Sequence, residues 1–238
     1  MEFPHPLVEG RLLRRYKRFL ADIALPDGSE ITAHCANPGA MLGLAAPGAR
    51  VLLSVSDNPA RKLRHSWELV EAALPGGPQW VGINTLRPNA LVAEAFRGGI
   101  LAPLSGYDAL RPEVRYGAAS RVDFLASGPG LPPCHVEVKN CHLMRQPRLA
   151  EFPDCVAARS ARHMRELAAV VEAGGRAVVI VVVQMDADAF DVARDLDPAF
   201  DAAFREARAR GVEAHAYRCA VGPGGVRIAQ EIPVVTPP

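Results

Sequence analysis

Asp123, Glu137 and Lys139 are the residues of this 238-residue chain whose types and spacing point most directly to chemistry. In His135-Val136-Glu137-Val138-Lys139, an extended backbone puts Val136 and Val138 on one face and Glu137 and Lys139 on the other. The valines would face a core, leaving a carboxylate and an ammonium side by side on a rigid strand. Arg121-Val122-Asp123-Phe124 repeats the pattern, and a hairpin between the two segments would set Asp123 beside Glu137. Two carboxylates so placed can hold a hard cation, Mg²⁺ or Mn²⁺, that keeps waters in its other positions. A phosphodiester could displace some of those waters, with Lys139 orienting the attacking water or neutralising charge on the phosphate. Glu94, upstream, is a candidate third carboxylate acting through water. The same residues also fit the solvated face of an ordinary hairpin, so the elements around them carry weight.

Residues 88–97 read as a helix opened by Pro88 and closed by Gly98-Gly99. Two strands follow, at 121–125 and 134–140, joined by a loop containing Gly128-Pro129-Gly130 and Pro132-Pro133. Residues 153–173 carry Val156, Met164, Leu167, Val170 and Val171 on one helical side and stop at Gly174-Gly175. The apolar run 177–183 predicts a buried central strand, residues 198–210 a helix and 212–217 a last strand. A carboxylate-bearing helix, a strand with Asp, a strand with Glu-x-Lys, a long helix and a buried strand, in that order, resemble the core of the PD-(D/E)xK nuclease superfamily. Arg159, Arg162 and His163 flank the apolar stripe of the long helix and are candidates for backbone phosphates.

The first third of the chain reads differently. Short apolar runs such as Val51-Leu52-Leu53-Ser54-Val55 and Trp80-Val81-Gly82-Ile83 alternate with Gly, Pro and Asn turns, as in a small β-barrel. Pro75-Gly76-Gly77-Pro78 and Arg87-Pro88 punctuate the change, which places domains at 1–83 and 84–238. Residues 11–25 fit a helical period, yet the Pro26-Asp27-Gly28 turn favours one strand returning through residues 30–35. Arg11, Arg14, Arg15, Lys17 and Arg18 crowd that strand with Tyr16 and no intervening acid. Arg61, Lys62 and Arg64 form a second basic cluster. Basic groups that track phosphates beside aromatics that stack on bases are the equipment of OB-type barrels.

Composition limits the alternatives. Lys plus Arg (27) nearly balances Asp plus Glu (26), so affinity for nucleic acid must come from where charges sit. Asp186, Asp188, Asp191, Asp195, Asp197 and Asp201 form an acidic stretch expected to face away from it. The five cysteines form no C-x-x-C pair, no leader opens the chain, and the longest apolar run is too short for a bilayer. These features predict a cytoplasmic protein with reduced thiols and no membrane partner.

Four motifs, in order, resemble one family nearly end to end. They are the run Arg15-Tyr16-Lys17-Arg18-Phe19-Leu20-Ala21-Asp22, the turn His34-Cys35-Ala36-Asn37-Pro38-Gly39-Ala40-Met41, Val136-Glu137-Val138-Lys139 and Phe152-Pro153-Asp154. They are similar to those of the sugar fermentation stimulation protein A (SfsA) family. The resemblance implies a mixed α/β chain: an N-terminal OB-like β-barrel followed by a PD-(D/E)xK nuclease-like α/β domain. It further implies DNA binding of low sequence specificity and a role in regulating maltose and related sugar metabolism. By position it assigns Glu94, Asp123, Glu137 and Lys139 to the nuclease-type site, with Arg159, Arg162 and His163 on the following helix. Ser160-Ala161-Arg162-His163 departs from the Gly-Gln-Lys-His of some members. Two readings follow: a DNA-binding regulator that retains the site, or an active Mg²⁺- or Mn²⁺-dependent endonuclease. DNA against RNA, and monomer against homodimer, are left open.

Overall fold

The computed structural model of the chain describes residues 1–116 and 120–237. Its first part is a closed five-stranded barrel. Strands β1 (Val8–Tyr16), β2 (Leu20–Ala24), β3 (Glu30–His34), β4 (Arg50–Val55) and β5 (His65–Leu74) pair in the order β3-β2-β1-β4-β5. A parallel bridge from His34 to Ser66 closes β3 onto β5. Strand β6 (Gly77–Gly82) is the hairpin partner of the far half of β5. Leu12, Ile23, Val51, Leu53, Trp67 and Val70 fill the barrel: period-two alternation sends the first four inward, and a register shift between β4 and β5 brings both Trp67 and Val70 to the same face.

The predicted single strand over 11–25 is two strands. The chain reverses at Lys17 and Arg18, held at φ 49° and 63°, and Tyr16 pairs with Leu20. The loop holds three residues, 17–19, and its first two take the left-handed conformation that tight hairpin turns use. Asn or Gly ordinarily announces such a turn, and neither is present.

Helix α1 (Pro88–Arg97) opens the second part, followed by β7 (Ala109–Tyr116), β8 (Ser120–Ser127) and β9 (Cys134–Cys141). A small sheet of β10 (Leu143–Gln146), β11 (Leu149–Phe152) and β13 (Ala189–Val192) stands apart from the main one. Helix α2 (Ala158–Glu172), strand β12 (Arg176–Val183), helix α3 (Pro198–Ala209), β14 (Glu213–Gly222) and β15 (Gly225–Ile232) complete the chain. The main sheet runs β15-β14-β12-β9-β8-β7, with β9, β12 and β14 parallel. Val178 to Val183 are all buried in β12, because helices cover both faces of the sheet. Leu91 and Val92 of α1 pack against Val136 and Val138 on one side, while Met164 and Leu167 of α2 meet Val179 and Val181 on the other.

Two further expectations change. The long helix begins at Ala158, not near Pro153, and Val156 is exposed instead of joining its apolar stripe. The strand expected to be last runs on to Gly222 and is followed by β15, whose Val226, Ile228 and Ile232 are buried. Among the described residues no helix is long and apolar enough to cross a membrane, and all five cysteines are free.

Glu68 ties the barrel to α1. It is 2% exposed and accepts from Ser54 Oγ, Asn84 Nδ2 and both Nε and Nη2 of Arg87, the residue that precedes the helix. With every lone-pair direction answered, the buried charge locks the angle at which α1 leaves the barrel.

Candidate functional site

Hairpin register brings the chemistry-bearing residues together. Phe124 pairs with Val136, so Asp123 stands across from Glu137, and the Val138 amide donates to Asp123 Oδ2 at 2.8 Å. Asn89, in the first turn of α1, donates to Asp123 Oδ1 at 3.0 Å. Lys139 Nζ donates to Glu137 Oε1 at 2.7 Å, and His163 Nδ1 lies 2.6 Å from the same oxygen. Arg159 Nε donates to His163 Nε2 at 3.3 Å, which leaves the ring proton on Nδ1, pointing at Glu137.

Glu137 is 3% exposed, and its other oxygen, Oε2, has no hydrogen-bond partner among the described residues. Burial pushes both carboxyls up. At Glu137 the Lys139 ammonium and the His163 hydrogen bond more than reverse that push, so its pKa lies below the usual carboxylate range. At Asp123 burial and then the neighbouring Glu137 charge prevail over the donors from Val138, Asn89 and Lys139, so its pKa is raised. Two facing carboxylates, one with an orphaned buried oxygen and one held above its ordinary pKa by burial and by the other's charge, fit a hard cation. Among the described residues no three His, Cys, Asp or Glu side chains are grouped to hold a metal by themselves. Waters and substrate oxygens would therefore complete a shell around Asp123 and Glu137, as Mg²⁺ tolerates.

Glu94 does not join this group. It pairs with the Met1 ammonium at 2.7 Å and faces β15 residues, while Asn89 is the α1 side chain that reaches Asp123. Five residues separate the two, which turns them about 140° apart around the helix. His163 is 4% exposed and serves Glu137, so it braces the site instead of meeting solvent-borne phosphate. Arg159 and Arg162 are exposed and line a pocket of about 340 Å³ with His163, Ser120, Arg121 and Glu113. Tyr116 and Glu166 border the same region. Burial, then the charges of Glu137, Glu166 and Asp123, push the Tyr116 hydroxyl well above its ordinary pKa.

The N-terminal basic residues divide by their partners. Arg14 is bound to Asp22 at 2.8 Å and lies over the Tyr16 ring, whose hydroxyl also donates to Asp22. Arg15 is structural: Nη2 donates to the carbonyls of Asn37 at 2.8 Å and Gly39 at 2.9 Å, bracing the 34–41 turn. Arg11, Lys17 and Arg18 are exposed, as are Arg61, Lys62 and Arg64. Arg61 donates to Ser66 Oγ, Ser66 bridges to His34, and His34 pairs with Leu20 just past the Lys17-Arg18 turn. Barrel closure thus brings Lys17 and Arg18 to the end that carries Arg61, while Arg11 lies farther along β1 beside Arg50. Arg18 also borders a cavity of about 350 Å³ between the barrel and the second part, with Asn37, Asn140, His142, Asp154 and Cys155.

In that cleft Asp154 accepts from the Met41 amide at 2.8 Å and lies 3.3 Å from His142 Nε2. Burial raises the Asp154 pKa, but His142 and the Met41 amide bring it down to about 2. The acidic stretch is neutralised. Arg148 holds Asp186 and Asp188, Arg145 holds Asp195 and Glu151, Arg218 holds Asp186, and Asp197 caps α3.

Asn89, Ser120 and Arg121 are the site-bordering residues that sequence reasoning missed. Only Arg121, a basic residue two before Asp123 on the same strand face, carried a signal that could have found it.

An OB-type barrel followed by an α/β domain with a mixed six-stranded sheet defines the class of protein. The family model described as the SfsA N-terminal OB domain matches residues 13–83, and that of the sugar fermentation stimulation protein RE domain matches residues 86–225. The chain belongs to the sugar fermentation stimulation protein family. It is 77% identical over 238 residues to a sugar fermentation stimulation protein homolog of Methylorubrum populi, covering 100% of this chain and 96% of that one. A homolog of the same description from Caulobacter vibrioides is 54% identical over 233 residues, covering 98% and 96% of the two chains. Among solved structures, Pyrococcus furiosus SfsA in complex with Ca²⁺ superposes with a TM-score of 0.87 at 25% identity. That match covers 98% of this chain and 97% of the other.

Proposed function

We propose that this protein binds nucleic acid, DNA or RNA, with low sequence specificity, and cleaves phosphodiester bonds with Mg²⁺ or Mn²⁺ at Asp123, Glu137 and Lys139. The observation that carries the proposal is Glu137, almost wholly buried between Lys139 and His163 with Oε2 unpartnered and Asp123 opposite. A buried charge with an unanswered oxygen is costly to a scaffold and useful to a metal site. The Ca²⁺ bound by the Pyrococcus furiosus relative is a cation of the same hard, oxygen-seeking kind.

Asp123 and Glu137 would hold the cation, which supplies Lewis-acid charge to the scissile phosphate and to the attacking water. Asn89 and the Val138 amide fix the Asp123 carboxylate, and His163 fixes that of Glu137. Lys139 projects its ammonium where charge would develop on the phosphate, and it can orient the water. Exposed Arg159 and Arg162 beside His163, with the barrel's exposed Arg11, Lys17, Arg18, Arg61, Lys62 and Arg64, would supply phosphate contacts.

A second reading is a DNA-binding regulator of sugar metabolism, maltose included, whose nuclease-type site does not turn over. It is favoured by Lys139 and His163, which already give Glu137 Oε1 two donors without a metal. The relatives' name, sugar fermentation stimulation, is in keeping with a regulator of sugar metabolism.

Both readings are tested by calorimetric titration with Mn²⁺ and by binding of mixed-sequence duplex across 50 to 200 mM salt. The expected result is one Mn²⁺ site that Asp123→Asn abolishes, and affinity that falls steeply with salt. Salt-independent or absent nucleic-acid binding overturns both readings. Absence of a Mn²⁺ site overturns the enzyme reading and leaves the regulator.

A further inference from the structure

The pocket beside Glu137 has features that the proposed cleavage site does not use. It measures about 340 Å³ and is lined by Ser120, Arg121, Arg159, Arg162, His163 and Glu113. His163 is committed to Glu137. Arg121 and Arg162 have no hydrogen-bond or ion-pair partner among the described residues, and Arg159 has only the His163 ring. Three guanidinium groups line the pocket beside one lining carboxylate, Glu113, with Glu166 at its border, so guanidinium groups outnumber the carboxylates there. Ser120 is 5% exposed, yet its Oγ has no hydrogen-bond partner among the described residues. A buried hydroxyl ordinarily finds a partner, so an orphan lining an arginine pocket calls for a ligand oxygen.

From these features we infer that the pocket receives a terminal phosphate of a nucleic-acid strand, a phosphomonoester, in preference to an internal phosphodiester. An internal diester carries one negative charge and offers two free oxygens. A monoester carries close to two charges near neutral pH and offers three acceptor oxygens. The excess of guanidinium groups over carboxylates favours the more highly charged monoester. Guanidinium forks and a hydroxyl supply enough donors for all three oxygens. Because Arg159 also donates to His163, which braces Glu137, the pocket adjoins the cleavage site, and a strand end seated here would fix which phosphodiester is presented to it. The inference rests on the nucleic-acid reading above and gives that reading a substrate preference: strand ends bearing phosphate.

The test compares binding of one single-stranded oligonucleotide sequence in three forms, 5′-phosphorylated, 3′-phosphorylated and with hydroxyls at both ends. Full-length wild type is used without added divalent cation, so that no turnover intervenes. One phosphorylated form is expected to bind roughly tenfold tighter than the hydroxyl form, the worth of about one strong charge-assisted contact. The form that gains identifies the strand end. Inorganic phosphate should erase that gain without displacing the hydroxyl form. Arg121→Ala, at an exposed position, and Ser120→Ala should each reduce the ratio toward one. Equal binding of all three forms, or a preference that both variants retain, overturns the terminal-phosphate assignment alone. Failure to bind any form overturns the nucleic-acid reading with it.

Discussion

Replacing Lys139 with methionine removes the ammonium while keeping most of the stem that packs in the site. Glu137 is 3% exposed and Lys139 has a side chain 10% exposed, so the pair is buried by any standard. Removing one partner of such a pair strands the other charge, at a cost of about 3–5 kcal/mol. His163 still donates to Glu137 Oε1, which argues for the low end, about 3 kcal/mol. For a chain of this size that corresponds to a fall of about 6–12 °C in Tm. A divalent cation bound between Asp123 and Glu137 should replace the lost charge. At a hundred times its Kd it returns about 2.7 kcal/mol, most of the deficit. The double variant Glu137→Gln/Lys139→Met has no charge to strand, so it should unfold near the wild-type temperature and ignore the cation. Thermal unfolding of the three proteins, with and without Mn²⁺, reads all of this. A Lys139→Met protein within about 0.5 kcal/mol of wild type, the range of an ordinary surface change, would refute the reasoning. So would Mn²⁺ stabilisation of the double variant.

Asp154 carries a pH prediction. Its folded pKa, about 2, lies below the ordinary value of 3.8, so its stabilising effect is complete above pH 4 and is lost as pH falls through 2. Asp154→Asn should cost about 2 kcal/mol at pH 7, and urea unfolding should show the two proteins converging between pH 4 and pH 2. Arg15→Ala should cost about 1–3 kcal/mol by orphaning the carbonyls of Asn37 and Gly39. It should leave the slope of log affinity against log salt unchanged, whereas Arg18→Ala should reduce that slope by about one with stability intact. Glu94→Gln should keep Mn²⁺ affinity within about twofold, because its partner is the Met1 ammonium. Asn89→Ala, which frees Asp123 Oδ1, should weaken Mn²⁺ affinity on the order of tenfold by calorimetry.

The strand chemistry was legible because period two is local. Val136 and Val138 fix the face of Glu137 and Lys139 from five consecutive residues, and register then delivers Asp123. The α1 contribution was not legible, since which face of a helix meets the sheet depends on docking far along the chain. Glu94 has the right chemistry and the wrong azimuth, and Asn89 has the right azimuth. Pro153-Asp154 resembles a helix opening. Asp154 instead serves Met41 and His142, so α2 starts later. The Lys17-Arg18 turn carries no glycine or asparagine to announce it, so one strand was read where two exist. Strand β15 was readable in principle, with Val226 and Ile228 alternating inward. The basic run at 11–18 looked uniform in sequence because Asp22 and the 37–40 carbonyls, which absorb Arg14 and Arg15, arrive through tertiary pairing.

Cleavage of linear duplex, branched, single-stranded and RNA substrates in Mg²⁺ or Mn²⁺, by wild type beside Asp123→Asn and Lys139→Ala purified identically, addresses the proposed chemistry most directly. Metal-dependent cutting by wild type that both variants lose is the predicted result, and it locates the active site. Intact substrates throughout, or cutting that the variants retain, would contradict a catalytic role for Asp123, Glu137 and Lys139 and leave the regulator reading to stand on its own binding test.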